Sequence, residues 1–322
     1  MLYCYQRIKC FAETPLAIKQ ETIFQLPVGS GSTALQRLLI RNNLVRSCGW
    51  LPWLLRVEPE LIKFKAGTYR LTPGMTVRQI LQLLANGKET QFTVRLIEGL
   101  RLRDWLQILK QSKYLHHTLD NKNDIQIASE LGILNEHNLE GRFFPDTYQY
   151  TAGMSDIELL KRAYLRMNEA LQSAWIKRDT SLPYKSPTDL LILASIIEKE
   201  TALPQERSKV ASVFVNRLRI GMRLQTDATI TYGIKDNYNA HITRKDIETA
   251  TAYNTYIIFG LPPTPIAMPC EAALQAAANP DKTSYLYFVA NGNGGHTFTT
   301  NLASHNQAVR TYRQRLKEKN EK

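Results

Sequence analysis

Residues 185–204 read KSPTDLLILASIIEKETALP. Ser186 suits a helix N-cap, Pro187 the first helical position and Asp189 the third, and the apolar run that follows is dense enough for a buried helix. The helix must end by Ala202-Leu203-Pro204, so its last turn carries Glu198 and Glu200, where the helix dipole disfavours carboxylates. Acidic residues there need another reason. Two positions at 3.6 residues per turn amount to about 200° of rotation, so the pair cannot converge on one bond as a two-carboxylate glycosidase dyad would. Glu200 extends the stripe of Leu193, Ile196 and Ile197, whereas Glu198 lies over Leu191, Ala194 and Ser195. A carboxyl at the rim of apolar surface is disfavoured in its charged form, which makes Glu200 a candidate general acid near neutral pH. A glutamate salt-bridged to Arg207 or Arg217 is the alternative, and the helix alone leaves both open.

Downstream, residues 206–233 read ERSKVASVFVNRLRIGMRLQTDATITYG. Their first half is a helix with Val210, Val213, Phe214 and Leu218 inward, leaving Asn216 free for substrate or backbone. LQTDATITY alternates like a strand, with Gln225, Thr226 and Asp227 near its start, where they suit sugar hydroxyls and N-acetyl groups. Asp227 alternatively caps a turn. Residues 251–269, TAYNTYIIFGLPPTPIAMP, place Tyr253 and Tyr256 round Asn254-Thr255 before a rigid proline loop. Flat faces beside amide donors suit a glycan chain. Residues 285–298, YLYFVANGNGGHTF, read as a β-hairpin in which His296 opens the return strand; a lone histidine has a structural reading as well. The last segment, 301–319, is a helix with a basic, solvated end.

Upstream, strand, turn and helix follow one another twice: from Glu21 with Leu35, Leu38, Leu39 and Leu44 on a helix face, and in GTYRLTPGMTVRQILQLLANG (67–87), closed by Gly87. A third strand and helix run through Trp105, followed by a polar stretch. LEGRFFPDTYQYTAG (139–153) crowds four aromatic residues round Pro145-Asp146, and a helix occupies 155–168. The segments are 1–20, a small module at 21–88, a connector at 89–154 and a larger domain at 155–322.

With 322 residues, 43% hydrophobic and 22% charged, the chain is globular rather than disordered. Its 41 basic and 29 acidic residues give a formal charge of +12, favouring an anionic partner such as nucleic acid, lipid or cell wall. Nucleic acid lacks support, because no Lys/Arg block with interleaved aromatics and no helix-turn-helix or RNP pattern occurs. Cys4, Cys10, Cys48 and Cys270 have no zinc or redox spacing, and His116, His117, His137, His241, His296 and His305 lack ligand partners at motif spacing, so no metal and no cofactor is called for. No apolar stretch reaches membrane-spanning length.

LILASIIEKETA, then the phrases at 206–233, 251–269 and 285–298, in that order, closely resemble the YceG-like endolytic murein transglycosylases, from about Glu21 to the C-terminus. The resemblance implies an α+β chain: a small LysM-like mixed module, then a lysozyme-like, mainly helical lobe with short strands and a hairpin. It carries the catalytic glutamate onto Glu200, the second glutamate of EKE. The candidate substrate-binding residues are Glu198, Asn216, Gln225, Thr226, Asp227, Tyr253, Asn254, Thr255, Tyr256 and His296.

The implied reaction cleaves the MurNAc–GlcNAc bond in nascent peptidoglycan strands and leaves 1,6-anhydroMurNAc ends. Glu200 protonates the leaving oxygen and then, as carboxylate, takes the C6 hydroxyl proton, so one carboxylate serves. The implied partners are peptidoglycan glycan strands and peptidoglycan synthases, and the implied role is to end glycan elongation. The family normally starts with a membrane helix, which this sequence does not show. A start lost upstream reconciles the two, and the resemblance then places the protein at the inner membrane on its periplasmic face. A non-catalytic glycan-binding scaffold, in which Glu200 only pairs with an arginine, is the rival reading.

Overall fold

A computed structural model describes residues 2–133, 137–234 and 242–320. Helices and short strands are mixed along the chain, in an α+β pattern. The chain divides into two compact units, one made of 1–93 with 113–116 and 149–154, the other of 94–112, 117–148 and 155–322.

In the first unit, α1 (Leu2–Ala12) is followed by β1 (Thr22–Leu26), α2 (Ser32–Arg41), α3 (Leu51–Val57), β2 (Gly67–Leu71) and α4 (Val77–Asn86). The strand-turn-helix text that occurs twice becomes two pieces folded together: β1 and β2 pair antiparallel, with Phe24 opposite Tyr69. Helix α4 starts with a reciprocal capping box between Thr76 and Gln79 and stops at Gly87, whose φ of 67° is the left-handed conformation glycine tolerates best. Leu35, Leu39, Leu54, Ile80, Leu81 and Leu84 fill the core between these elements. Burying a side chain of this size contributes roughly 1.5–3 kcal/mol each, which is what holds so small a module together.

Residues 1–20, read from sequence as a stretch ahead of the module, contribute to that core. Ile8, Phe11 and Ala12 of α1 fall at i, i+3 and i+4 on one face and are buried with Leu35 and Leu54. Leu16 then donates its N–H to Met75 O at 2.7 Å, fastening the strap that leaves α1. No described helix is long and apolar enough to cross a membrane.

After β3 (Phe92–Leu96) come α5 (Leu102–Gln111), α6 (Asp124–Leu131), β4 (Asp146–Tyr150), which pairs with β3, and α7 (Asp156–Ile176). Helix α7 runs eight residues beyond the sequence reading, because Leu171 and Ala174 keep its inner face buried. Then follow α8 (Pro187–Glu200), α9 (Arg207–Arg219), α10 (Asp227–Gly233), α11 (Arg244–Glu248), α12 (Glu271–Ala278), β5 (Tyr287–Ala290), β6 (His296–Thr299) and α13 (Leu302–Asn320).

The second unit is built round α8. Every residue from Leu190 to Ile197 is buried, and the alanines of α12 (Ala273, Ala276, Ala277) let that helix pack closely beside it. Ser195 survives in this core because its hydroxyl donates to Ile192 O at 2.7 Å and accepts from Ile266 N–H at 3.0 Å, so no polar group is stranded. The N-cap is as read: Ser186 accepts from Asp189 N–H.

The strand expected over 224–232 is a helix, α10. Thr226 is extended and serves as its N-cap, Asp227 opens the first turn, and Thr229 and Ile230 turn inward. The alternation of threonine and apolar residues mimics a strand, but packing of one face decides for the helix. The hairpin at 285–298 forms, with Ala290 opposite His296, and the positive φ of Gly292 (79°) and Gly294 (87°) makes its turn.

Candidate active site

Glu200 is the last residue of α8, and its carboxyl opens on a cavity of ≈ 450 Å³. One oxygen, Oε1, accepts a hydrogen bond from the Thr226 hydroxyl. Thr226 is itself held by a knot of buried threonines. Its N–H donates to Thr255 Oγ1 at 3.1 Å, Thr229 Oγ1 donates to Thr226 O at 2.8 Å, and the hydroxyls of Thr229 and Thr255 lie 2.9 Å apart. The residue before it, Gln225, takes a left-handed φ of 49°, an uncommon conformation for a side chain of that size, and ties its N–H to Thr255 O. Fold and strain together point the Thr226 hydroxyl at Glu200.

Burial drives the Glu200 carboxyl above its ordinary range, against the pull of the Thr226 hydrogen bond. Asp227 adds to the rise, while the charges of His296 and Arg217 oppose it. A carboxyl whose charged form is disfavoured by burial and that faces a cavity is suited to donate a proton to a leaving oxygen. Asp227 contributes a second carboxylate to the same cavity and accepts the Tyr256 hydroxyl at 2.7 Å. Burial and this bond push the Tyr256 phenol up, so it stays neutral as a donor.

Matching of the sequence to a family model covers residues 24–311 under the description YceG-like family. The chain belongs to the YceG-like family. Among relatives of this YceG-like chain, an endolytic murein transglycosylase of Bacillus subtilis (strain 168) is 33% identical over 313 residues, covering 92% of this chain and 85% of the relative. One from Streptococcus pneumoniae serotype 2 is 31% identical over 171 residues, 51% of this chain and 30% of that protein. The crystal structure of a yceG-like protein from Listeria monocytogenes superposes with a TM-score of 0.57 at 27% identity, over 90% of this chain and 99% of the other.

The YceG-like chain brings four of the sequence-derived candidates to the cavity beside Glu200: Gln225, Thr226, Asp227 and Tyr256. The others have structural partners. Glu198, only 5% exposed in its side chain, lies 3.6 Å from Arg207 and accepts from Cys270 N–H, so the salt-bridge reading holds for Glu198 and not for Glu200. Asn216 spends its amide on Thr283 O and Tyr285 O, and Asn254 spends its own on the carbonyls of Asp246, Ile247 and Thr249. Tyr253 bonds Thr264 at 2.7 Å, and Thr255 is fully buried in the threonine knot.

His296 is locked by Glu206, through Nδ1 at 2.6 Å and through its backbone N–H at 3.0 Å. Burial pushes Glu206 up, but these bonds outweigh it and hold the carboxyl low. His296 is therefore oriented, and its influence on Glu200 is electrostatic. His241 lies outside the described residues.

Sequence reading missed a further part of the cavity lining, formed by Arg217, Tyr287, Leu302, His305 and Asn306. Leu302, His305 and Asn306 fall at i, i+3 and i+4 of α13, a one-face spacing that was readable in the sequence, but the basic end of that helix drew the reading toward solvent. Among the described residues no group of three or more His, Cys, Asp and Glu is placed to hold a metal ion.

Proposed function

We propose that this protein is an endolytic peptidoglycan lytic transglycosylase with Glu200 as its acid and base. The observation that carries the reading is a protonated-leaning glutamate at the end of a buried helix, aligned by Thr226 and open to a cavity large enough for a sugar. The naming of the Bacillus and Streptococcus relatives as endolytic murein transglycosylases supports the same substrate. Glu200 gives its proton to the oxygen leaving muramic C1, which departs with the bonding electron pair. The resulting carboxylate, eased by the nearby Arg217 charge, takes the proton of the C6 hydroxyl as that oxygen closes on C1. The product is a 1,6-anhydro end, and Glu200 is protonated again.

Asp227 favours a second reading, hydrolysis. A second carboxylate in the same cavity is what activation of a water would need. Mass spectrometry of uncrosslinked glycan strands, treated with the protein and with Glu200→Gln, separates the two. Anhydro ends made only by the unaltered protein support the transglycosylase; reducing ends mean hydrolysis. Intact strands with both would favour a glycan-binding scaffold.

The order β1, α2, α3, β2 with an antiparallel strand pair supports reading residues 21–88 as a LysM-like module that holds glycan, ahead of a lysozyme-like catalytic domain at 155–322. On this reading the enzyme ends glycan elongation beside peptidoglycan synthases, on the outer side of the cytoplasmic membrane.

A further inference from the structure

The part of the cavity lined by Arg217, Tyr287 and His305 is chemically unlike the part that holds Glu200, Asp227 and Tyr256. Arg217 is only 7% exposed, yet among the described residues no carboxylate lies within salt-bridge distance of it. Its Nε donates to Leu286 O at 2.7 Å and its Nη1 to Leu224 O at 2.7 Å, with Arg223 O at 3.4 Å, and the guanidinium lies 5.2 Å from the centre of the Tyr287 ring. Nη2 makes no hydrogen bond among the described residues and is not sealed from solvent, so the open end of a nearly buried cation belongs to the cavity that Arg217 lines.

His305 of α13 stacks on the same Tyr287 ring, 5.1 Å between centres, and its Nδ1 is buried with no hydrogen-bond partner. Burial and the Arg217 charge push the His305 imidazole down, which keeps it neutral beside the guanidinium. A desolvated cation is costly unless a ligand supplies oxygens to it, and His305 offers to the same cavity its Nε2, which makes no hydrogen bond among the described residues and, unlike Nδ1, is not sealed from solvent. Asn306 adds an amide at the same edge.

We propose that Arg217 and His305 form a subsite for the lactyl substituent on C3 of muramic acid, so that this wall selects muramyl glycan over a plain N-acetylglucosamine polymer. The inference rests on the glycan-cleavage reading above. The two polymers share their acetamido groups and ring hydroxyls. Muramic acid alone adds the lactyl ether, whose carbonyl oxygen is present as an amide when a peptide stem is attached and as a carboxylate when it is not. Either form offers an acceptor to Nη2, while Glu200, Asp227 and Tyr256 are left to serve the glycosidic bond.

Calorimetric titration of the full chain carrying Glu200→Gln tests this with three ligands: a stem-free muramyl tetrasaccharide, its stem-bearing form and chitotetraose. Both muramyl ligands are expected to bind more tightly than chitotetraose. Adding Arg217→Lys or His305→Ala should weaken both muramyl ligands by about tenfold, the scale of one charge-assisted hydrogen bond, and leave chitotetraose unchanged. If Arg217→Lys fails to fold, His305→Ala decides, since His305 is on a partly exposed face of α13. Equal affinity for the three ligands, or parallel losses on all of them, overturns the subsite alone. Binding of none of them, together with intact strands after treatment with the unaltered protein, overturns the glycan reading itself.

Discussion

The hydroxyl of Thr226 donates to Oε1 of Glu200, joining the N-cap of one short helix to the last residue of the helix at the centre of the larger unit. The contact pulls the Glu200 acidity one way while burial pulls it the other, and burial prevails.

Removing that hydroxyl with Thr226→Val therefore raises the acid further. In the pH dependence of glycan cleavage, the alkaline limb, where the acid loses its proton, should move to higher pH. The maximal rate should fall by about tenfold or more, through lost alignment of the general acid. An unmoved alkaline limb would separate Thr226 from Glu200 ionisation.

Glu198→Ala should damage stability rather than chemistry. It leaves Arg207 nearly buried without its carboxylate and strips Cys270 N–H of an acceptor, a loss of about 3 kcal/mol for breaking a buried pair. Thermal unfolding should show a clear drop, while turnover per folded molecule stays close to that of the unaltered protein. Loss of turnover without loss of stability would reverse the roles of Glu198 and Glu200.

Glu200→Gln should stabilise the fold at neutral pH. The folded-state acid is raised, so Glu200 contributes its stability below the unfolded value and loses it as pH rises through the folded one. Glutamine has no charge to desolvate, so the variant should be the more stable protein at pH 8 and the two should converge near pH 4. Denaturant titrations at both pH values check this, and a gap of the opposite sign at pH 8 would contradict the burial of the carboxyl.

Glu140 offers a second, independent pH signal away from the cleavage chemistry. Burial raises it to about 7, even though Leu102 N–H donates to it at 2.9 Å and Arg101 and Tyr232 stand nearby. Stability should decline from about pH 4.5 up to the folded value of about 7 and then level off. Glu140→Gln should flatten that decline, by up to about 3 kcal/mol over the interval at 1.36 kcal/mol per unit. An unchanged slope in the variant would place the titration elsewhere.

The element that organises the larger unit was readable from local text alone. Ser186, Pro187, the unbroken apolar run and Pro204 carry their own start, burial and stop signals, because caps and breakers act through neighbours in sequence. The hairpin at 285–298 was readable for the same reason, its glycines supplying the turn that the backbone needs. The helix α10 was not. Its alternating threonines satisfy a strand pattern, and only the burial of Thr229 and Ile230 against the rest of the unit selects the helix.

Within the site the division follows the same physics. Sequence by itself determined that a carboxylate ends a buried helix and that Glu198 and Glu200 face different ways, and it named Gln225 to Asp227 and Tyr256, which line the cavity with Glu200. Tertiary structure decided which glutamate keeps a salt bridge, since Arg207 reaches Glu198 and, among the described residues, no arginine comes within ion-pair distance of Glu200. It also gave Asn216, Asn254 and His296 structural partners and brought His305 of α13 to the cavity that Glu200 lines. Caps, turns and helical stripes depend on residues a few positions apart, whereas the partner of a buried polar group is whichever donor or acceptor folding delivers from far along the chain.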